Sequence, residues 1–296
     1  MGLPGAGEVP ALGAGRCARG QGTADAQPAL AECHRMNRLP LAQVTLCAID
    51  CRTPALAVSA LLAARRRVSF GRVMLLTHDW LPTMVLPGLE VIDVGPLPEA
   101  ADVADFVARR LHALVSSSHV MLTQWDCGVL QPEAWTDEFL VHDYVAAGDD
   151  RRPGTLLPGL SLRSRRFLRA GNDPRFAETR LDDDTLCHVR RAFLQDVHGV
   201  SFAPEALCQR LVARGAQAEP WQFGFAGPAF LPALQDEAEM LEVVRRLPRE
   251  FLAHQGFDEL HQALATQGMN EAAAALGLRR AAEQSRLAAL RGQARP

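Results

Sequence analysis

The sequence predicts an α/β fold, a three-layer α/β/α arrangement on a mainly parallel sheet, with a helical extension at the C-terminus. Three observations carry that expectation. Apolar strand-like runs alternate with amphipathic helical ones between residues 41 and about 130. Three of those runs finish in aspartate: Val44–Asp50, Val73–Asp79 and His119–Asp126. Beyond residue 235 the chain becomes rich in Ala, Leu, Glu and Arg at helical spacing. Strand–helix alternation favours parallel pairing, because parallel neighbours need a long crossover, usually a helix.

In chain order, residues 1–38 read as a poorly ordered leader, rich in Gly, Ala and Pro and without sustained periodicity. They lack the basic start and apolar core of a secretory signal, and Met36 is a candidate start of the folded part. A strand over Gln43–Ile49 leads to Thr53-Pro54, an N-cap followed by proline at the first helical position. The helix Ala55–Arg66 and the strand Arg72–Thr77 follow, then a Pro-rich connection with a short strand at Glu90–Val94. The helix Ala101–Leu114 gathers Val103, Phe106, Val107, Leu111 and Leu114 on one face and precedes the strand His119–Thr123. Thr136 is placed to cap a short helix through Phe139. Gly148–Gly159 reads as a polar loop, and Ser161–Ala170, with four arginines, as the solvated face of a helix. A helix over Asp184–Leu194 follows Asp182 and Asp183, and Phe223–Pro228 forms a compact turn. Leu260–Ala289 reads as one helix pair. The division expected is a leader, a main domain over 39–234 and a helical extension over 235–296.

Composition narrows the function classes. A length of 296 residues permits one large domain or two small ones. Hydrophobic content of 48% and charged content of 22% are ordinary for a soluble globular protein. No apolar run approaches the ~20 residues that span a bilayer. A net charge of −3 gives no nucleic-acid footprint. Every basic side chain is arginine, so a phosphate clamp has to use Arg or backbone N–H. The seven cysteines are scattered and form no CxxC pair, which indicates free thiols in a cytoplasmic protein.

Parallel strands end along one edge, where open α/β sheets bind ligands. Asp50, Asp79 and Asp126 therefore stand to meet at one crevice. Asp126 there suits Mn²⁺ or Mg²⁺, hard cations that bridge carboxylates to phosphate. A turn aspartate bonded to backbone N–H is the other reading, both for it and for Asp50, whose ligand role would be against a base or ribose. Asp183 and Asp184 suit a general base that activates an acceptor hydroxyl, or else a helix cap. Arg163 suits bidentate phosphate binding, while Arg165, Arg166 and Arg169 suit a solvated face. Trp125 and Trp135 suit base or sugar stacking, with Trp135 the better core residue. His142 and Asp143 are sequence neighbours that would point to opposite faces of a strand. Cys127 reads as a small loop residue.

The segment Gln124-Trp125-Asp126-Cys127-Gly128, continuing to Leu140, resembles the core motif of the DUF5672 family. His142-Asp143-Tyr144-Val145, Leu160–Arg165, Asp183-Asp184 and Phe223-Gly224-Phe225 resemble further motifs of that family in the same order. The resemblance covers about residues 42–232. It implies a GT-A-like, nucleotide-sugar-binding fold and a glycosyltransferase acting on an unknown acceptor. Asp50, Gln124, Trp125, Asp126 and Arg163 would face the donor, Asp126 would hold the metal, and Asp184 with Asp183 would serve the acceptor. The chain departs from the family pattern at four places. Leu156-Leu157-Pro158-Gly159 replaces Gly-Asn-Gly-Gly, Ala226 replaces a histidine, and Cys127 and Ala146 replace glycines. Those departures imply a second possibility, a protein that binds a sugar nucleotide or a partner without turnover. A metal-dependent phosphoesterase is disfavoured by the lack of a His-rich cluster.

Overall fold

The computed structural model of the chain describes residues 38–148, 156–213 and 217–293. The expected leader, apart from Arg38, lies outside these residues, as does most of the loop expected at Gly148–Gly159.

Alternation along strand β1 (Leu39–Ile49) sends Val44, Leu46 and Ala48 to one face of a sheet and Cys47 and Ile49 to the other. Helix α1 (Pro54–Arg67) covers the first face with Ala57, Val58, Leu61 and Ala64. Strand β2 (Val68–Thr77) returns parallel to β1, and β3 (Glu90–Asp93) extends the sheet parallel to β2. Helix α2 (Ala100–Arg109) covers the opposite face with Phe106 and Val107, and a 3-10 turn at Leu111–Ala113 continues it. Strand β4 (His119–Thr123) then pairs parallel with β1 on its other side. Strand β1 begins earlier than expected because Leu39–Leu41 pair with Val68–Phe70, ahead of an irregularity between Leu41 and Thr45. Gly71 lies opposite that irregularity, where an added Cβ would come 2.0 Å from the Ala42 carbonyl oxygen.

The small strand β5 (Cys127–Val129) comes next, followed by β6 (Tyr144–Gly148) and β7 (Leu156–Ser164). The large sheet has six strands in the order β3-β2-β1-β4-β7-β6. It is mixed, which corrects the expectation of a mainly parallel sheet: β7 runs antiparallel to both β4 and β6. Only residues 149–155 separate β6 from β7, too few for the crossover that parallel pairing requires. The expected arginine-rich helix is also corrected. Ser161–Ser164 belong to β7, and the helix, α3 (Arg165–Ala170), starts after them, with Ser164 Oγ capping Phe167 N–H.

Helix α4 (Arg191–His198) follows a π-helical turn at Thr185–Val189 and joins α3 on the α2 side. Helix α5 (Glu205–Leu211) packs on the α1 side, so helices lie on both faces of the sheet. Strands β8 (Val212–Ala213) and β9 (Gly224–Ala226) form a three-stranded sheet with β5, in the order β5-β9-β8. Helices α6 (Glu237–Arg246), α7 (Gly256–Thr266) and α8 (Asn270–Gln293) pack on that sheet through Met240, Leu260 and Leu276 against Phe225 and Leu56. From Arg38 onward the chain is one unit. No helix among the described residues is long and apolar enough to cross a membrane.

Candidate functional site

The strand order reverses at β1. The chain runs outward through β2 and β3, then returns to β4 on the other side, so the connections leaving β1 and β4 diverge. Such a switch point opens a crevice at the carboxyl ends of the strands. Two cavities lie there. The first, of about 350 Å³, is lined by Gln124, Arg163, Asp182, Asp183 and Asp184 and by an apolar wall from α2. The second, of about 280 Å³, is lined by Asp50, Arg52, Thr53, Gln124, Trp125 and Glu250. Ile49, Thr123 and Gln124 border both.

Asp50 closes the β1–α1 turn. One carboxylate oxygen accepts the N–H groups of Arg52 (2.8 Å) and Thr53 (2.6 Å), and the other accepts the Thr53 hydroxyl (2.7 Å). Thr53, expected to cap α1, makes no side-chain cap. Asp50 thus satisfies backbone donors ahead of the helix while forming part of the cavity wall. Gln124 is exposed between the two cavities. Its position depends on Gly159, where a Cβ would come 2.7 Å from Cys127 Sγ and 3.3 Å from Gln124 Oε1. Trp125 sets its ring edge-on to Phe251 at 5.4 Å and borders the second cavity. Trp135, half-buried, packs against the core between Phe139 and Phe223.

Asp126 lines neither cavity. Its carbonyl accepts Gly227 N–H at 2.9 Å and its carboxylate lies 3.6 Å from Cys127 Sγ. Desolvation by burial raises its carboxyl pKa; hydrogen bonds and His254 oppose the shift without cancelling it. Cys127 pairs across the ladder with Ala226, so the position where the resembled family carries histidine does sit beside Asp126. Alanine supplies no ligand there. No group of three or more His, Cys, Asp or Glu among the described residues is placed to hold a metal ion. A half-buried carboxylate with alanine at 226 and no such group around it among the described residues does not offer the oxygen-rich set that a hard dication takes. Asp79 lines neither cavity either: it adopts φ 47° and donates its N–H to Asp93. Asp93 is held down to about 2 by the N–H groups of Gly95 and Asp79 and by His78.

The first cavity separates Asp183 from Asp184. Asp183 accepts two bonds from Arg163, at 2.8 and 2.6 Å, and one from the Tyr144 hydroxyl at 2.9 Å. Arg163 is 2% exposed, and its Nε reaches Ser161 Oγ at 3.2 Å. Burial opposes the charge on Arg163, but Asp183 together with Tyr144 and Cys187 outweighs it, and the guanidinium pKa ends raised. Asp183 is therefore the counter-ion of a buried arginine, and Arg163 is committed to that pair rather than to a phosphate. Asp184 is exposed. One of its oxygens accepts Leu156 N–H at 3.2 Å and lies 3.8 Å from His188 Nε2. The other has no partner among the described residues. Asp182 caps the π-helical turn by accepting Thr185 N–H at 2.7 Å.

The separate sequence motifs meet in space. Tyr144, Arg163 and Asp183 form one cluster. Asp143, buried, accepts bonds from Ser164 Oγ and from Ser201 N–H and forms a second. Cys127-Gly128-Val129 pair with Gly224-Phe225-Ala226. Sequence reasoning missed Arg52, Asp182 and Glu250 as wall residues; Glu250 comes from a segment with no local signal for it. Cys127 is buried and its thiol pKa is pushed well up by desolvation, so it carries no thiolate. No protein-family model matches this chain, and neither does any curated protein.

Proposed function

We propose that the crevice at the β1/β4 switch point binds a nucleotide-sugar donor and transfers its sugar to an acceptor hydroxyl. The observation that carries this reading is the pair of cavities meeting at Gln124, one of which holds Asp184 as an accessible carboxylate. The donor belongs in the second cavity. Trp125 offers an aromatic surface there, and Arg52 is the arginine available to a diphosphate, its pairing with Glu250 being long (3.6 Å) and exposed. Asp184 takes the acceptor proton as the new bond forms, a role general bases fill with rate factors of about 10²–10⁴. The GT-A-like fold and membership of the resembled family are part of this proposal, supported by the parallel β3-β2-β1-β4 block and by the convergence of the matched motifs. A cytoplasmic location is also part of it, supported by the free thiols of Cys47, Cys51, Cys127, Cys187 and Cys208. No step is routed through a metal here, since Asp126 lines neither cavity.

The test is a screen of nucleotide sugars for binding and transfer by wild type, Arg52→Ala and Asp184→Asn. Loss of donor affinity in the first variant, and loss of kcat with donor affinity kept in the second, is the expected pattern. A donor that binds both variants and wild type alike would sink the assignment. Ala226 beside Asp126 favours a second reading, binding without turnover. Transfer detected only after Ala226→His, with Mn²⁺ added, would establish it.

A further inference from the structure

Resting on the transferase reading, we infer that the first cavity is the acceptor site and takes a neutral, apolar-bodied alcohol or phenol rather than a sugar or an anion. Its wall is built by the inward face of α2, with Ala100, Val103, Ala104 and Val107, and by Ile49 and Leu122 at the strand ends. A polyhydroxylated acceptor would lose water from its hydroxyls against that wall without recovering hydrogen bonds, which is costly. No aromatic ring among the described residues lines this cavity to stack on a sugar face. The polar side is acidic. Among the described residues Arg163 is neutralised by Asp183, and Asp182 and Asp184, with His188 3.8 Å from the latter, are opposed to a carboxylate or phosphate. The donor's diphosphate is directed by the same charges to the Arg52 side of Gln124. A volume of about 350 Å³ suits a single ring or a short branched chain.

The balance of the step is simple. The acceptor oxygen forms a bond to the anomeric carbon of a nucleoside diphosphate sugar. The bond from that carbon to the diphosphate oxygen breaks, and its electron pair leaves with the nucleoside diphosphate. The acceptor proton passes to Asp184. One hydroxyl at the polar end of an apolar body is all that this geometry asks of the acceptor.

The probes are 4-ethylphenol, 4-ethylbenzoate and glucose, each titrated into the full chain at pH 7 without donor and followed by ligand-observed NMR. The phenol is expected to bind at least about tenfold more tightly than the benzoate, and glucose not measurably, tenfold being ~1.4 kcal/mol. Ala104→Phe and Ala100→Trp plug the apolar wall from two places on α2. The second sits at an exposed helix start and tests the cavity even if the first fails to fold. Each is expected to lower phenol affinity by about tenfold or more. Asp184→Asn is expected to narrow the gap between phenol and benzoate. Equal or tighter binding of glucose or the benzoate, or phenol binding unchanged in both plugged variants, would overturn the inference. Phenol binding in a protein that binds no nucleotide sugar would instead overturn the acceptor role together with the transferase reading, and leave the apolar ligand site standing.

Discussion

Two neighbouring aspartates end in different chemical situations, and single substitutions separate them. Asp183 neutralises Arg163, whose side chain is 3% exposed. Asp183→Ala strands a buried guanidinium and is expected to cost about 3–5 kcal/mol in chemical denaturation. Asp184→Asn, at an exposed position, is expected to stay within about 0.5 kcal/mol of wild type. It should lower transfer by about 10²–10⁴. Nothing local in Asp182-Asp183-Asp184 distinguishes the three; the partner that does so, Arg163, is 20 residues away from Asp183. Asp126 gives a pH signature. Its carboxyl pKa is raised in the folded state by desolvation. The folded chain therefore keeps that proton to higher pH than the unfolded chain, where aspartate titrates near ~3.9. The associated stability is present below that value and is lost as pH rises through the folded pKa. Asp126→Asn is expected to remove this loss, so thermal midpoints of the variant should fall less than those of wild type between pH 4 and neutrality. Superimposable profiles would show the carboxyl to be solvated. The strand-end position of Asp126 was legible in the sequence; its enclosure by β5 and β9 was not, because β9 lies about a hundred residues further along.

Elements were legible where period and punctuation agreed. Strand β4 has the bounds that its apolar run predicts, His119–Thr123, and α1 begins at the proline that marks it. Strand β7 was not legible. It is buried on both faces, and such strands normally read as continuous apolar runs. Here Leu160 and Leu162 face the α1 side, while Ser161 and Arg163 occupy the other, the arginine held there by the counter-charge of Asp183. An arginine-rich stretch thus imitated a solvated helix, and the sheet's antiparallel half went unseen. The turn after β1 and the glycine in β7 give element-scale tests. Asp50→Ala removes the acceptor for two backbone N–H groups and is expected to cost about 0.5–2 kcal/mol, like loss of a helix cap. Gly159→Ala brings a methyl against Cys127 and Gln124. The overpacking is expected to cost about 1–3 kcal/mol and to weaken ligand binding at both cavities by displacing Gln124. Unaltered binding in that variant would separate Gln124 from the site.

At the scale of the molecule, the C-terminal helices look like an appendage in the sequence, since their composition changes at about residue 235. In the structure they share one apolar cluster with α1 and the small sheet, through Leu56, Phe225, Phe230, Met240 and Leu260. Their partners lie far back in the chain, so no window of sequence reveals the contact. A chain ending at Leu234 is expected to expose that cluster and to aggregate or bind a hydrophobic dye. The strand–helix alternation, by contrast, put the ends of β1 and β4 on one edge, while the strand order that makes them the switch point was not legible. The central claim is that this crevice holds a nucleotide sugar. The most direct test is a calorimetric titration of the full chain with a panel of nucleoside diphosphate sugars, repeated on Gln124→Ala and on Arg169→Ala, which lies outside both cavities. Saturable binding of at least one donor, lost with Gln124→Ala and kept with Arg169→Ala, is the predicted result. Binding of none of them, or binding that Gln124→Ala leaves intact, would contradict the account.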